Sequence, residues 1–194
     1  MMIYNLQKKK MTHNVKYNWE FHKEEIVRKI YKNKSLLKQL NGNTSQNTDE
    51  LMFSCKEFES IKNFVVEQYF KLKKTENVDY AVSMWSYIQT KDLPLSNYIW
   101  HTHSKLDGGR TQLKTDYTFV FYVQIPPNLK DGEGDLLIKD NDNSIHTITP
   151  REGDIIFFPG CLWHVPTHTP TATIDRIVIA GNITSEFLLN TSLI

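Results

Sequence analysis

This sequence predicts a mainly β fold, a sandwich or barrel of short strands with two N-terminal helices packed on one side. Three observations predict it. From residue 78 onward, short runs rich in β-branched and aromatic residues recur, and each is closed by Gly, Pro, Asn or Asp. Before that point, two segments carry apolar residues at helical spacing. The pair His101-Thr102-His103 is then followed at a distance by His164 and Arg176. A β framework can collect such residues, because side chains two apart on a strand point the same way.

The bulk numbers exclude several classes. At 194 residues the chain is expected to form a single domain, 1–194, with helical support over 1–77 and the catalytic core over 78–194. Apolar residues make up 40% and charged residues 23%, which argues against both disorder and a membrane span. A formal net charge of +1 gives no sign of a specific nucleic-acid partner, and Lys8-Lys9-Lys10 reads as solvated surface. Residues 1–10 lack the apolar core of a secretion signal, so a cytoplasmic location is expected, the host cytoplasm if the protein is viral. Cys55 and Cys161 have no metal-type spacing and are read as reduced thiols.

In chain order, residues 19–40 read as helical, with Ile26, Val27, Ile30 and Tyr31 on one face and Leu36, Leu37 and Leu40 beyond a polar break. Asn41-Gly42 is the stop. A second helix starts from the capping-box pair Ser54 and Glu57 and carries the stripe Phe58, Ile61, Val65, Tyr69 and Leu72, read as core packing. Strands follow over 78–89, 117–125, 134–139, 144–148, 154–158 and 174–180. In the first of these, Val82, Met84 and Ile88 share one face while Ala81, Trp85 and Tyr87 share the other. No internal repeat, phosphate loop, nucleophile elbow or zinc-finger spacing is present.

The chemistry gathers around the histidines. Gly153-Asp154, the run Ile155-Ile156-Phe157-Phe158-Pro159 and then His164 read as a turn, a buried strand and a polar side chain at its mouth. Three imidazoles on one face would suit iron, zinc, copper or nickel.

In these features the chain resembles the iron- and 2-oxoglutarate-dependent dioxygenases of the double-stranded β-helix (jelly-roll) fold, notably the small His-x-His variants of phage and bacterial genomes. The resemblance covers about 78–182. It rests on His101-Thr102-His103, Thr118-Phe119-Val120-Phe121-Tyr122, Asp131-Gly132-Glu133-Gly134-Asp135, the 153–164 segment and Arg176. It implies a cupin-like double-stranded β-helix and a hydroxylase with His101 and His164 as Fe(II) ligands. Arg176 would bind the distal carboxylate of 2-oxoglutarate, with Tyr122 and Thr118 adding hydroxyls. O2 would be the oxidant, ascorbate an accessory reductant, and succinate and carbon dioxide the products, with the organic substrate left open. An arginine suits that task because its planar fork grips a carboxylate in two places and keeps its charge.

One position departs from the family pattern. His103 stands where a carboxylate is usual, and three readings remain open. His103 ligates directly, Asp107 or Asp116 supplies the carboxylate, or His103 only lines the pocket. Arg176 is expected to point into the barrel, on a face shared with Ile177, Ile179 and Gly181. His146 and His168 read as surface residues, and Trp85, Trp100 and Trp163 as core. Two rival functions stand beside the dioxygenase. One is a cupin-type metal-dependent dioxygenase or metal-binding protein without 2-oxoglutarate, which would have no use for the Arg176 and Tyr122 clamp. The other is a non-catalytic jelly-roll structural module, for which metal content would be the discriminator.

Overall fold

The computed structural model describes residues 12–18, 22–32, 38–39, 43–44, 56–74, 79–93, 98–103 and 115–185. In chain order they form β1 (His13–Lys16), α1 (Lys23–Lys32), β2 (Lys38–Gln39), β3 (Asn43–Thr44), α2 (Lys56–Lys73), β4 (Tyr80–Gln89), β5 (Tyr117–Gln124), β6 (Leu136–Lys139), β7 (Ile145–Ile148), β8 (Asp154–Pro159), β9 (Trp163–Pro166) and β10 (Arg176–Ser185). The strands build a seven-stranded sheet, ordered β1-β8-β5-β10-β4-β3-β2, and a three-stranded sheet, ordered β7-β6-β9. All pairings are antiparallel. This is a jelly roll with two helices laid on its larger sheet.

Two cores follow from strict alternation along the central strands. On one side of the large sheet, Ile26 and Ile30 of α1 and Phe58, Ile61, Val65 and Tyr69 of α2 pack on Met84, Ile88, Phe119, Phe121, Ile155, Phe157, Ile177, Ile179 and Ile183. Each of these fully buried large side chains contributes roughly 1.5–3 kcal/mol. On the other side, between the sheets, lie Val120, Tyr122, Leu136, Ile138, Ile156, Phe158, Leu162 and Val178. The second core is where the site forms.

The sequence expectations need correction at several places. Helix α1 ends at Lys32, and the chain is already in a strand at Lys38, so the helix over 19–40 is too long. Residues Leu36, Leu37, Leu40 and the Ser54 cap lie outside the described residues, as do Cys55 and Asp107. The segment expected to give only helical support also supplies β1, which pairs with β8, and β3, which pairs with β4. Strand β9, read as a mere mouth, is a true strand paired with β6. Among the described residues, no helix is long and apolar enough to cross a membrane.

Gly181 shows how tight the central strand is. A Cβ there would lie 2.4 Å from the Ser83 carbonyl oxygen and 2.5 Å from Phe119 Cζ. Neither a backbone carbonyl nor a ring fixed in the helix-side core can retreat far. We expect Gly181→Ala to cost about 1–3 kcal/mol by overpacking and to lower the thermal midpoint by several degrees in calorimetry. An unchanged midpoint would show that β10 shifts freely.

Candidate metal centre and acid pocket

Residues 99–103 run beside the start of β9, and His101 and His164 exchange both main-chain hydrogen bonds, at 3.1 and 2.9 Å. That bridge, with the two-residue spacing of His101 and His103, brings three imidazoles into one cluster, His101 stacked on His103 and His164 tilted against both. Their ring centroids are 5.3 Å apart for His101 and His103, 4.2 Å for His101 and His164, and 4.9 Å for His103 and His164. One ligand nitrogen from each lies within 4.8 Å of the others. His164 is buried, His103 half-buried and His101 exposed, so the cluster opens on the His101 side.

Every ring is held by its Nδ1. His101 Nδ1 lies 2.9 Å from the Ile99 carbonyl oxygen, His164 Nδ1 3.1 Å from that of Leu162, and His103 Nδ1 2.5 Å from Asn182 Oδ1. A carbonyl oxygen only accepts, so each Nδ1 carries the hydrogen and each Nε2 keeps its lone pair. This is the tautomer that ligates a metal, fixed by an outer partner in all three cases. Burial pushes the His164 pKa down to about 3, with further lowering from the neighbouring His101 and His103. The His103 pKa is lowered too, by burial and by His101, against the raising effect of Asn182. Both rings are therefore neutral near pH 7. Trp85 lies tilted against His103 at 5.6 Å and Phe158 meets His164 edge-on at 4.7 Å, which gives the site apolar walls.

Asn182 escaped the sequence reading. It lies on the inner face of β10, and its Oδ1 accepts from both His103 and the Thr118 hydroxyl, the latter at 3.2 Å. The signal was a polar residue set between Gly181 and Ile183, on the same strand face as Arg176. Removing this outer partner in Asn182→Leu should weaken metal binding by about 10–100-fold, measured by competition with a chromophoric chelator. An unchanged affinity would mean that His103 needs no orienting partner. Asp116, one candidate for a ligand carboxylate, is spent elsewhere. It accepts from Tyr69 and the Ser185 amide and pairs with Lys73 at 3.1 Å, beside α2.

Arg176 is buried at 2% exposure and points between the sheets. Its face is that of Val178, Ala180 and Asn182, while Ile177 and Ile179 turn to the helices. The face expected from the sequence is thus the wrong one, although the inward direction holds. Its Nη1 donates to Gln89 Oε1 at 3.0 Å, and the guanidinium lies 5.1 Å from the Tyr122 ring centroid. Gly134, at φ +73°, passes close beneath: a Cβ there would meet Leu129 Cδ1 at 2.7 Å and Arg176 Cδ at 3.8 Å. Burial pushes the Tyr122 pKa up to about 12, with Arg176 opposing, so its hydroxyl stays protonated and can donate.

Around Arg176 the buried polar atoms are conspicuously unpaired. Arg176 Nε, Tyr122 Oη, Thr169 Oγ1, His168 Nε2 and Asp135 Oδ1 are all buried without a hydrogen-bond partner. Each such atom costs roughly 1–3 kcal/mol if nothing serves it. Three of them, on Arg176, Tyr122 and Thr169, offer a hydrogen, which is what a carboxylate would take. Asp135 Oδ1 is an acceptor and does not fit that role.

Thr118 lies four residues from Tyr122 along β5 and gives its hydroxyl hydrogen to Asn182, so it supports His103 and does not stand beside Arg176. His146 is a surface residue facing Asp140 at 3.6 Å. His168, expected on the surface, is half-buried with its ring edge-on to Tyr98 at 5.1 Å. Trp85 is buried, Trp100 is half-buried under Lys139, and Trp163, expected in the core, is 49% exposed.

The chain covers 91% of itself and 94% of a prolyl-4-hydroxylase from Pseudomonas putida, with a TM-score of 0.65 at 9% identity. The fold is that of the prolyl hydroxylases. A prolyl hydroxylase from Trichoplax adhaerens, solved with a hypoxia inducible factor peptide, is similar over 90% of this chain and 84% of its own at a TM-score of 0.57 and 13% identity. A non-heme alpha ketoglutarate dependent carbocyclase from nogalamycin biosynthesis is similar over 90% and 79%, with a TM-score of 0.64 at 8% identity. The likeness lies in the fold alone at these identities. No protein-family model matches the chain, and no curated protein matches it.

Proposed function

We propose that this protein is an Fe(II)- and 2-oxoglutarate-dependent dioxygenase that oxidises a C–H bond of an organic substrate. His101, His103 and His164 would hold the iron, and Arg176 with Tyr122 would take the distal carboxylate of the co-substrate. The observation that carries the reading is the pairing of two unsatisfied sets on the inner faces of one jelly roll. Three Nε2 lone pairs converge, and the hydrogens of Arg176 Nε and Tyr122 Oη have no acceptor. The prolyl hydroxylases and the carbocyclase of the same fold lend support by analogy.

Bound iron, 2-oxoglutarate and O2 would supply the oxidising power, with succinate and carbon dioxide as the products of the co-substrate. The chain's own residues do the holding. Outer hydrogen bonds to the oxygens of Ile99, Asn182 and Leu162 orient the three rings. Arg176 and Tyr122 give a charge-assisted grip that a monocarboxylic 2-oxo acid could not use at its far end. Trp85 and Phe158 keep the inner side of the cluster dry. The exposed edge of His101, beside exposed Ile99, is the side from which the substrate would arrive. Thr118 belongs to the support of His103 in this scheme, not to the co-substrate clamp.

The test is succinate release from 2-oxoglutarate in the presence of ferrous iron and ascorbate, without added substrate, together with metal analysis of untagged protein. Slow release that requires both iron and 2-oxoglutarate supports the proposal. Protein that binds iron yet never consumes or binds 2-oxoglutarate would transfer the site to metal-dependent oxygenase chemistry without a co-acid.

A further inference from the structure

We infer that Gln89 is the positioning residue of the acid pocket: it aims Arg176 and, being neutral, leaves the guanidinium charge available to an anion. This rests on the co-substrate reading above. Gln89 closes β4 directly across from Arg176 in the β10 register and is fully buried. Its amide makes three hydrogen bonds. Oε1 accepts from Arg176 Nη1 at 3.0 Å, and Nε2 donates to the Tyr98 hydroxyl at 2.8 Å and to the Thr167 carbonyl oxygen at 2.8 Å.

The Thr167 contact decides which way the amide faces. A carbonyl oxygen cannot donate, so the nitrogen of Gln89 must turn to Thr167 and the oxygen must turn to Arg176. One guanidinium nitrogen is thereby tied back, Nε is left buried without a partner, and the guanidinium carbon sits over the Tyr122 ring. Gln89 also links Arg176 to two loops, through Tyr98 after β4 and through Thr167 after β9.

Among the described residues no carboxylate forms an ion pair with Arg176. A glutamate at position 89 would have the same reach and would neutralise the guanidinium from within the fold. It would also set a carboxylate oxygen against the Thr167 carbonyl. The amide keeps the geometry without the neutralisation.

The experiment titrates the protein, loaded with Mn(II) in place of iron, with 2-oxoglutarate and with pyruvate in a calorimeter. Pyruvate presents the same 2-oxo acid group and lacks the distal carboxylate. Gln89→Glu should weaken 2-oxoglutarate binding by about tenfold or more and leave pyruvate binding unchanged. Gln89→Met, which keeps the bulk and adds no charge, should weaken 2-oxoglutarate by roughly a few-fold and again spare pyruvate; it decides the matter if the glutamate variant does not fold. Equal affinity of wild type and both variants for 2-oxoglutarate would overturn the role of Gln89, and so would a parallel loss of both acids, which marks a merely structural residue. If wild-type protein binds 2-oxoglutarate no better than pyruvate, the carboxylate clamp itself fails, and the inference falls with it.

Discussion

His164→Ala protein is expected to lose its metal altogether. Of the three imidazoles, His164 is the most deeply buried, and its Nδ1 hydrogen bond to the Leu162 carbonyl gives it the most fixed setting. Its low pKa keeps it unprotonated across the working range, so it does not have to shed a proton to ligate. Deleting a ligand should cost more than the roughly 10–100-fold loss that follows removal of an outer partner. The fold should survive, because the bridge between His101 and His164 is made by main-chain atoms and β9 keeps its pairing with β6. His101→Ala, at an exposed ring that leaves no internal cavity, provides the control and should also fail to hold iron. The readouts are metal content after dialysis and the thermal midpoint of the metal-free protein. Full iron occupancy in the His164→Ala protein would remove the three-histidine centre from consideration.

The parts of the molecule that were legible in the sequence are those whose signal is local. The run Ile155-Ile156-Phe157-Phe158 is apolar at every position because β8 is buried on both faces, by helices on one side and the small sheet on the other. The helical stripe of α2 could be read for the same reason, since Phe58, Ile61, Val65 and Tyr69 all meet one sheet. Strands whose existence depends on a distant partner were invisible. His13–Lys16 is a four-residue segment with only Val15 apolar, and it is a strand because β8 offers a free edge. The two-residue strands β2 and β3 exist through their pairing beside β4.

In the site, the histidine cluster was legible and its support was not. His-x-His announces itself by spacing. Gln89 and Asn182 do not, because a lone amide in a strand looks like any solvent-facing residue until its neighbours are known. Alternation alone would have found them: Arg176, Val178, Ala180 and Asn182 share a face, as do Trp85, Tyr87 and Gln89. An amide on the same side as Trp85 and Arg176 is an inward amide, and inward amides need partners.

Arg176→Ala should raise the 2-oxoglutarate requirement by about tenfold or more, since a lost charge-assisted contact costs on the order of 1.5–3 kcal/mol. A guanidinium at 2% exposure has been taken out of water, and desolvation of that kind is not repaid by neutral neighbours. What it finds inside the chain is one amide oxygen on Gln89 and the face of Tyr122, a cation–π contact of about 0.5–2 kcal/mol. Its Nε has no partner, and the Tyr122 hydroxyl close by has none either. An entering carboxylate could accept a hydrogen bond from both. Iron binding should be intact in the Arg176→Ala protein, because none of the three histidines draws a hydrogen bond from the guanidinium. Arg176→Lys separates charge from geometry: it restores a cation without the Nε hydrogen or the fork, and its co-substrate affinity should fall between wild type and the alanine protein. The measurement is the 2-oxoglutarate concentration dependence of succinate release, paired with metal analysis of each variant. If the alanine protein turns over with an unchanged requirement for 2-oxoglutarate, the buried charge serves the barrel and not the acid. The three histidines would then be left to a metal-dependent oxygenase that works without it.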